Sequence, residues 1–347
     1  MNNKAKFCVV LASDLKYVPY TAVAIQSLID NCNPQNNYSV FILHSGIDEW
    51  NILALRDMGT QNISVDFIDI SGYAANLAKY TGHVTQWPKE MMYRLYIPLM
   101  PELSAYNKVL YVDGDVIFLT DPESIFNRDI KCSLVAAAKD QDFPFFRNER
   151  KDFIRSVLKM KPEDYFNSGV LLFNCTQMRK EDFFTSVISF LEKNGKLPFP
   201  DQDTLNSLTS GKVSFLEPVF NAQMHVINRA AKNDVETAIQ AIWKKEVYAN
   251  AAIVHYSAQD KPWTHVRGKP EDVHFWKYAR KTPFYEYILA DSAHYPQFAD
   301  YLIAKGKYMG YSLLSLLTTG GWCQECKKRA DTLRKKYRII RKKRKGN

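Results

Sequence analysis

The sequence predicts an α/β protein built on a doubly wound parallel sheet. Three observations carry this. The first 70 residues alternate strand and helix patterns, βαβαβ, which is the signature of that class. Residues 7–12 (FCVVLA) form a near-continuous apolar run, as a parallel strand buried on both faces requires. Residues 108–119 (KVLYVDGDVIFL) read as a buried strand that runs straight into two carboxylates, followed at once by a second apolar run.

The elements follow in order. The first strand, 7–12, is broken by Ser13, Asp14 and Lys16. Ala22, Ile25 and Leu28 or Ile29 have helical spacing, which predicts a helix over 20–29. A second strand over 38–43, a helix over 48–58 and a third strand over 63–68 (ISVDFI) complete the alternation. In such sheets ligands bind beyond the carboxyl ends of the strands. Asp14, Lys16 and Tyr17 lie at that end of the first strand, where they either hold a base and ribose or form an ordinary loop. The chain has neither GxGxxG nor GxxxxGK[ST], so a phosphate-bearing ligand needs another source of positive charge. Residues 89–99 (KEMMYRLYIPL) have helical spacing, with Arg94 as the one central charge, a residue usually paired with a carboxylate or phosphate.

Asp113 and Asp115 stand at i and i+2 in extended chain, so both side chains leave the same face. Two like charges at the end of an apolar strand are costly unless neutralised. A hard divalent cation does this with carboxylate oxygens. Gly114 between them would let a ligand approach the backbone. The plainer reading is a polar turn capped by the aspartates.

A strand over 134–138 ends at Asp140, and residues 166–174 (FNSGVLLFN) begin with small polar residues, leaving room for a ligand, then become a strand. A helix is expected over 178–193, ended by Gly195. Asp201-Gln202-Asp203 opens another; an N-cap accounts for one aspartate but not for the run. A short strand over 252–254 ends at His255, a candidate third ligand. Imidazole beside carboxylates suits Mn²⁺ better than Mg²⁺. Lys261, six residues on, is a point-charge partner for phosphate.

The chain has 347 residues, 46% hydrophobic, enough for one large α/β domain with an appendage or for two small domains. No run of 18 apolar residues exists, so no spanning helix is expected. Met1-Asn2-Asn3-Lys4 leads directly into a strand, so no signal peptide is expected. Six scattered cysteines, mostly in apolar runs, suggest reduced thiols in a cytosolic protein. Cys323 and Cys326 are half of a zinc site with no partner pair and are read as incidental.

Charge is concentrated at the end. Residues 327–345 hold 12 Lys or Arg against Asp331, a net of +11 in a chain of +9, so the remainder sums to −2. Short aromatic-rich helical patterns precede this tail at 273–280, 284–290 and 298–303, and 311–317 is apolar but too short to span a bilayer. Leu333, Tyr337 and Ile340 form a narrow apolar stripe among the basic residues, which predicts a helix lying on an anionic membrane surface. A solvated disordered end and a nucleic-acid tail are the alternatives; no nucleic-acid motif or aromatic-lined groove supports the latter.

Four motifs in this order, YVDGDVIF, FNSGVLLFN, DQDTLN and HYSAQDKPW, resemble the family 8 glycosyltransferases over roughly residues 5–265. The resemblance implies a retaining enzyme of the GT-A fold, a Rossmann-like mixed sheet flanked by helices. The glycosyltransferase domain would cover 1–265, a helical extension 266–326 and the basic tail 327–347. It implies that Asp113, Asp115 and His255 ligate Mn²⁺, or Mg²⁺, bridging the diphosphate of a UDP-hexose. Asp14 and Tyr17 would contact uridine, Lys261 the diphosphate, and Arg94, Asp140, Asn167, Asp201 and Gln202 would surround the sugar. The acceptor would be a glycan or glycolipid such as lipopolysaccharide core, and the enzyme would sit in the cytoplasm on the inner face of the cell membrane. Lys16 stands where family members often have Asn, and Ala258 where the HxxGxxKPW pattern has Gly. Two rivals are kept. DGDVIF also resembles the strand end of haloacid-dehalogenase-like phosphatases, with Asp113 as nucleophile and Asp115 as acid/base. The other is an inactive binding module anchored by its tail.

Overall fold

In a computed structural model of the chain, the described residues are 6–73, 88–195, 197–229, 233–258, 261–264 and 270–294, with the single positions 309, 324, 327 and 330. The expected helices over 298–303 and 311–317, the Cys323/Cys326 pair and the apolar stripe of the tail lie outside these residues.

The central sheet has seven strands in the order β3-β2-β1-β4-β7-β6-β8. They are β1 (Lys6–Ala12), β2 (Asn37–His44), β3 (Ile63–Asp69), β4 (Lys108–Val112), β6 (Val135–Lys139), β7 (Phe166–Asn174) and β8 (Val213–Leu216). β1 pairs parallel with β2 and β4, and β2 with β3. β7 runs antiparallel to both β4 and β6, which makes the sheet mixed rather than all-parallel. The apolar runs read from the sequence are these buried strands: Cys8, Val9 and Val10, then Val109 to Val112, then Val170 to Phe173 are fully enclosed. Each such side chain stabilises the fold by about 1.5–3 kcal/mol relative to exposure.

The run after Asp115 leaves this sheet. β5 (Val116–Phe118) joins a second sheet of three strands, where it pairs antiparallel with β10 (Ile253–His255), itself parallel to β9 (Ala222–Gln223).

Helices cover the sheet. Val18–Asn31 and Glu49–Arg56 are the crossovers expected between the first three strands. Residues Lys89–Leu99 form a 3₁₀ helix, with Pro98 inside it. A proline there removes an N–H and disfavours continuation of an α-helix. The single helix expected over 178–193 is two, Cys175–Lys180 and Phe183–Asn194. Asp182 adopts a left-handed φ of 46° at the join, which interrupts the helical hydrogen bonding that apolar spacing alone does not reveal.

The chain divides into two compact units, one comprising 1–256 and 278–283, the other 257–277 and 284–347. Within the second, buried Trp263 packs its ring 5.0 Å from that of Phe275. Among the described residues no helix is long and apolar enough to cross a membrane.

Candidate active site

The strand order places the site. The chain winds outward from β1 to β3 and then returns to β4 on the other side of β1, so β1 and β4 flank the point where the order reverses. Their carboxyl ends open a crevice there. Because β7 is antiparallel to β4 and β6, its first residues lie beside the carboxyl ends of both. Asp14, Asp113, Asp140 and the Asn167-Ser168-Gly169 segment are thus brought to one edge of the sheet by topology.

Asp113 and Asp115 meet His255 across the two sheets. His255 is opposite Val116 in the β5–β10 pair, so the turn holding Asp115 sits beside the histidine. His255 Nε2 lies 3.3 Å from Asp115 Oδ1 and 3.7 Å from Asp113 Oδ2. One ligand atom from each of the three lies within 4.8 Å of the others. Two carboxylates and an imidazole, mostly buried, are a donor set suited to a divalent cation, and their spacing fits one ion.

Arg94 ties this cluster to its neighbours. It is 3% exposed. Nη2 donates to Asp113 Oδ1 at 2.7 Å, Nη1 to the Ser168 carbonyl at 2.5 Å, and Nε lies 3.2 Å from Asp201 Oδ2. Its guanidinium also covers the Tyr111 ring, whose hydroxyl donates to Asp113 Oδ1. The charge expected to face a carboxylate or a phosphate therefore faces two carboxylates.

Asp201 and Gln202 open the helix Pro200–Leu208. Asp201 Oδ2 accepts from Ser168 Oγ; burial raises this carboxyl's pKa, with Arg94 pulling the other way. Gln202 Oε1 accepts from the Ser168 N–H and from Asn167 Nδ2, while Nε2 donates to Asp140 Oδ2. Burial pushes Asp140 up to about 6 although the Asp142 N–H and Gln202 both donate to it. The third acid of the run, Asp203, points elsewhere. It accepts from Tyr165 Oη and Arg150 Nη2, both at 2.6 Å, and from the Phe199 N–H.

At the end of β1, Asp14 Oδ1 accepts the N–H of Tyr17, which caps the helix Val18–Asn31, and Tyr17 Oη donates to Asp115 Oδ2 at 3.4 Å. Lys16 is exposed. Lys261 belongs to the second unit, where its carbonyl accepts from the Thr264 N–H and hydroxyl.

Two glycines have a different reason from the one expected. A Cβ on Gly114 would stand 2.7 Å from Thr21 Oγ1 and 3.2 Å from the Tyr17 ring. A Cβ on Gly169 would stand 2.1 Å from His255 Cε1. Both glycines make room for the protein's own side chains. Ala258 has a left-handed φ of 66°, which explains why the family pattern has glycine there.

No local pattern marks Tyr111 or Asn221 as parts of the site. Tyr111 reads as one more residue of an apolar strand. Asn221 stands in no recognisable motif, yet its amide reaches both His255 and Asn167.

A mixed α/β sheet with an acidic pair at its switch point agrees with the GT-A fold that the four sequence motifs imply. The chain belongs to glycosyl transferase family 8, whose model matches residues 8–266. It is 24% identical over 282 residues to General stress protein A of Bacillus subtilis, covering 78% of this chain and 93% of that one. It is 23% identical over 282 residues to a lipopolysaccharide 1,2-glucosyltransferase of Escherichia coli, covering 80% and 76%. Of two further relatives the chain spans 62% and 61% of the length. Among solved structures, the galactosyltransferase LgtC in complex with donor and acceptor sugar analogs is similar in fold, with a TM-score of 0.62, 23% identity and coverage of 80% and 96%. The family match overturns the phosphatase reading of Asp113, in which the DQD helix and His255 had no part.

Proposed function

We propose that this chain is a retaining hexosyltransferase that moves glucose or galactose from a UDP-sugar to a glycan acceptor, such as lipopolysaccharide core, with Mn²⁺ as its metal. The observation that supports this most is the cluster of Asp113, Asp115 and His255 at the switch point of a family 8 sheet. The acceptor class follows the printed function of the E. coli relative.

Asp113, Asp115 and His255 would hold the metal, which when bound supplies Lewis-acid stabilisation of charge on the leaving diphosphate. The chain's own residues do the rest. Asp14 and Tyr17 contact the uridine, and Lys261 is retained as a diphosphate partner on the strength of its spacing from His255. Arg94 balances Asp113 and Asp201, so neither carboxylate is left uncompensated when the sugar enters. Gln202, Asp201, Asp140 and Asn167 form one hydrogen-bonded rim through Ser168 and surround the sugar. Such a pre-set polar rim suits an anomeric centre that becomes oxocarbenium-like as the bond to the diphosphate breaks.

The test is UDP release from a panel of UDP-hexoses, with and without Mn²⁺, for the wild type and Asp115→Asn. Slow Mn²⁺-dependent hydrolysis of one donor, lost in the variant, supports the reading; no release from any donor overturns it.

The net of +11 over 327–345 further suggests that the tail binds an anionic membrane surface on the cytoplasmic side. Binding to anionic liposomes that persists after removal of 327–347 would exclude that role.

A further inference from the structure

Asn221 is fully buried and ends a short 3₁₀ turn, Pro218–Asn221, immediately before β9. β9 pairs parallel with β10, which brings this turn beside His255. The side chain bridges two residues of the site. One amide atom is 2.9 Å from Asn167 Oδ1, and the other is 2.8 Å from His255 Nδ1.

Hydrogen positions on amides and imidazoles follow from the network around them, and here a backbone group fixes every direction. The Gly169 N–H can only donate, and it donates to the Asn167 side chain at 2.9 Å. That Asn167 atom is therefore the amide oxygen. The Asn221 atom facing it must be the donor, Nδ2. The other end of Asn221 is then its carbonyl oxygen, which accepts. The ring nitrogen facing it, His255 Nδ1, must carry hydrogen. Nε2 is the nitrogen that faces Asp113 and Asp115, and it is the one a metal would displace a proton from or bind directly. Gly169 completes the arrangement, because the ring lies where any other residue would put its Cβ.

We propose that Asn221 is a positioning residue that holds the His255 ring by its Nδ1–H and so presents Nε2 to the metal. This deepens the metal reading above and rests on it for its functional consequence, but the Nδ1–H hydrogen bond to Asn221 is a property of the chain itself. Asn221 touches no substrate in this scheme. It acts as the outer-shell partner that ligating histidines generally have, whose loss costs about 10- to 100-fold in metal affinity.

The experiment is ¹⁵N NMR of histidine-labelled full-length protein, metal-free and with Mg²⁺ as a diamagnetic metal. His255 is assigned by the signals missing from His255→Gln. The wild type is expected to show a protonated Nδ1 in both states; a bare Nδ1 overturns the proposal with no variant needed. Asn221→Ala is expected to lose the fixed Nδ1–H. Asn221→Asp can still accept from Nδ1 and is expected to keep it, although it cannot donate to Asn167. Mn²⁺ affinity, read from the EPR signal of the free ion, should fall about 10- to 100-fold in Asn221→Ala and less in Asn221→Asp. An unchanged Nδ1 signal and unchanged affinity in Asn221→Ala would overturn the proposal. If the wild type binds no Mn²⁺ while its Nδ1–H pattern is present, the metal reading falls and the structural role of Asn221 stands.

Discussion

Replacing Asp140 with Asn should make the protein more stable at pH 8 and leave it no more stable at pH 5. Asp140 is 8% exposed, and burial is the main reason its carboxyl titrates at about 6 rather than near 3.8. Below pH 3.8 the group is protonated in folded and unfolded chains alike and has no effect on the balance. Between 3.8 and about 6 the unfolded chain gives up the proton while the folded chain keeps it. The folded state then binds more protons, so stability falls as pH rises, and the loss is complete above about 6. Lifting a carboxyl from 3.8 to about 6 corresponds to about 3 kcal/mol.

Asparagine removes that loss but not without cost. Asp140 accepts from two donors, the Asp142 N–H and Gln202 Nε2. An amide has one oxygen, so one of these donors loses its acceptor. Gln202 cannot simply turn over, because its oxygen already accepts from the Ser168 N–H. A missing hydrogen bond in a buried site costs about 1 kcal/mol or somewhat more. The expected net gain is about 1–2 kcal/mol at pH 8 and about zero at pH 5, where only the unfolded chain has ionised and roughly half of the loss has accrued. Urea denaturation of both proteins at the two pH values measures this. A stability difference that does not change with pH would refute the reasoning. Transferase activity should fall in the same variant at both pH values, since a residue kept against a stability loss is expected to serve the reaction.

Three other substitutions test the site's construction. Arg94→Leu strands the carboxylates of Asp113 and Asp201 and should cost about 3–5 kcal/mol in urea denaturation without metal; a loss under 1 kcal/mol would mean the ion pairs matter little. Gly169→Ala drives a methyl into the His255 ring and should cost about 1–3 kcal/mol while weakening Mn²⁺ binding, with an unchanged melting curve as the contrary result. Ala258→Gly relieves a left-handed alanine, a gain of about 1–2 kcal/mol, less about 0.4–1 for the more flexible unfolded chain. A small rise in melting temperature checks it.

What could be read from the chain divides along a physical line. Strands buried on both faces write themselves as apolar runs, and β1, β4 and β7 were legible for that reason. Asp113 and Asp115 were legible because two carboxylates beside an apolar strand need an explanation. The sequence did not show that β7 runs antiparallel, because alternation of strand and helix stops being informative after β3. Nor did it show the role of Asn221, which depends on pairing between segments 54 and 34 residues away in the chain. A hydrogen bond across such distances leaves no local spacing to recognise. The break at Asp182 was hidden for the opposite reason, since the apolar spacing on either side of it suits one continuous helix.

The first four residues of β7 show how one reading of residue size can mislead. Small polar residues at a strand end suggest backbone left open for a ligand. Here they serve the protein's own parts. Phe166 N–H and C=O are both taken by the Asn206 amide, which anchors the DQD helix to the sheet. Asn167 receives Gly169 and Asn221. Ser168 gives its carbonyl to Arg94, its N–H to Gln202 and its hydroxyl to Asp201. Gly169 gives its carbonyl to the Asp113 N–H and its missing side chain to His255. Four consecutive residues therefore set the acidic pair, the histidine, the arginine and the DQD helix against one another. With their polar groups already matched, these residues hold one another in a single arrangement, as the proposed electrostatic role of the rim requires. The absence of a side chain at Gly169 reflects crowding by the site itself.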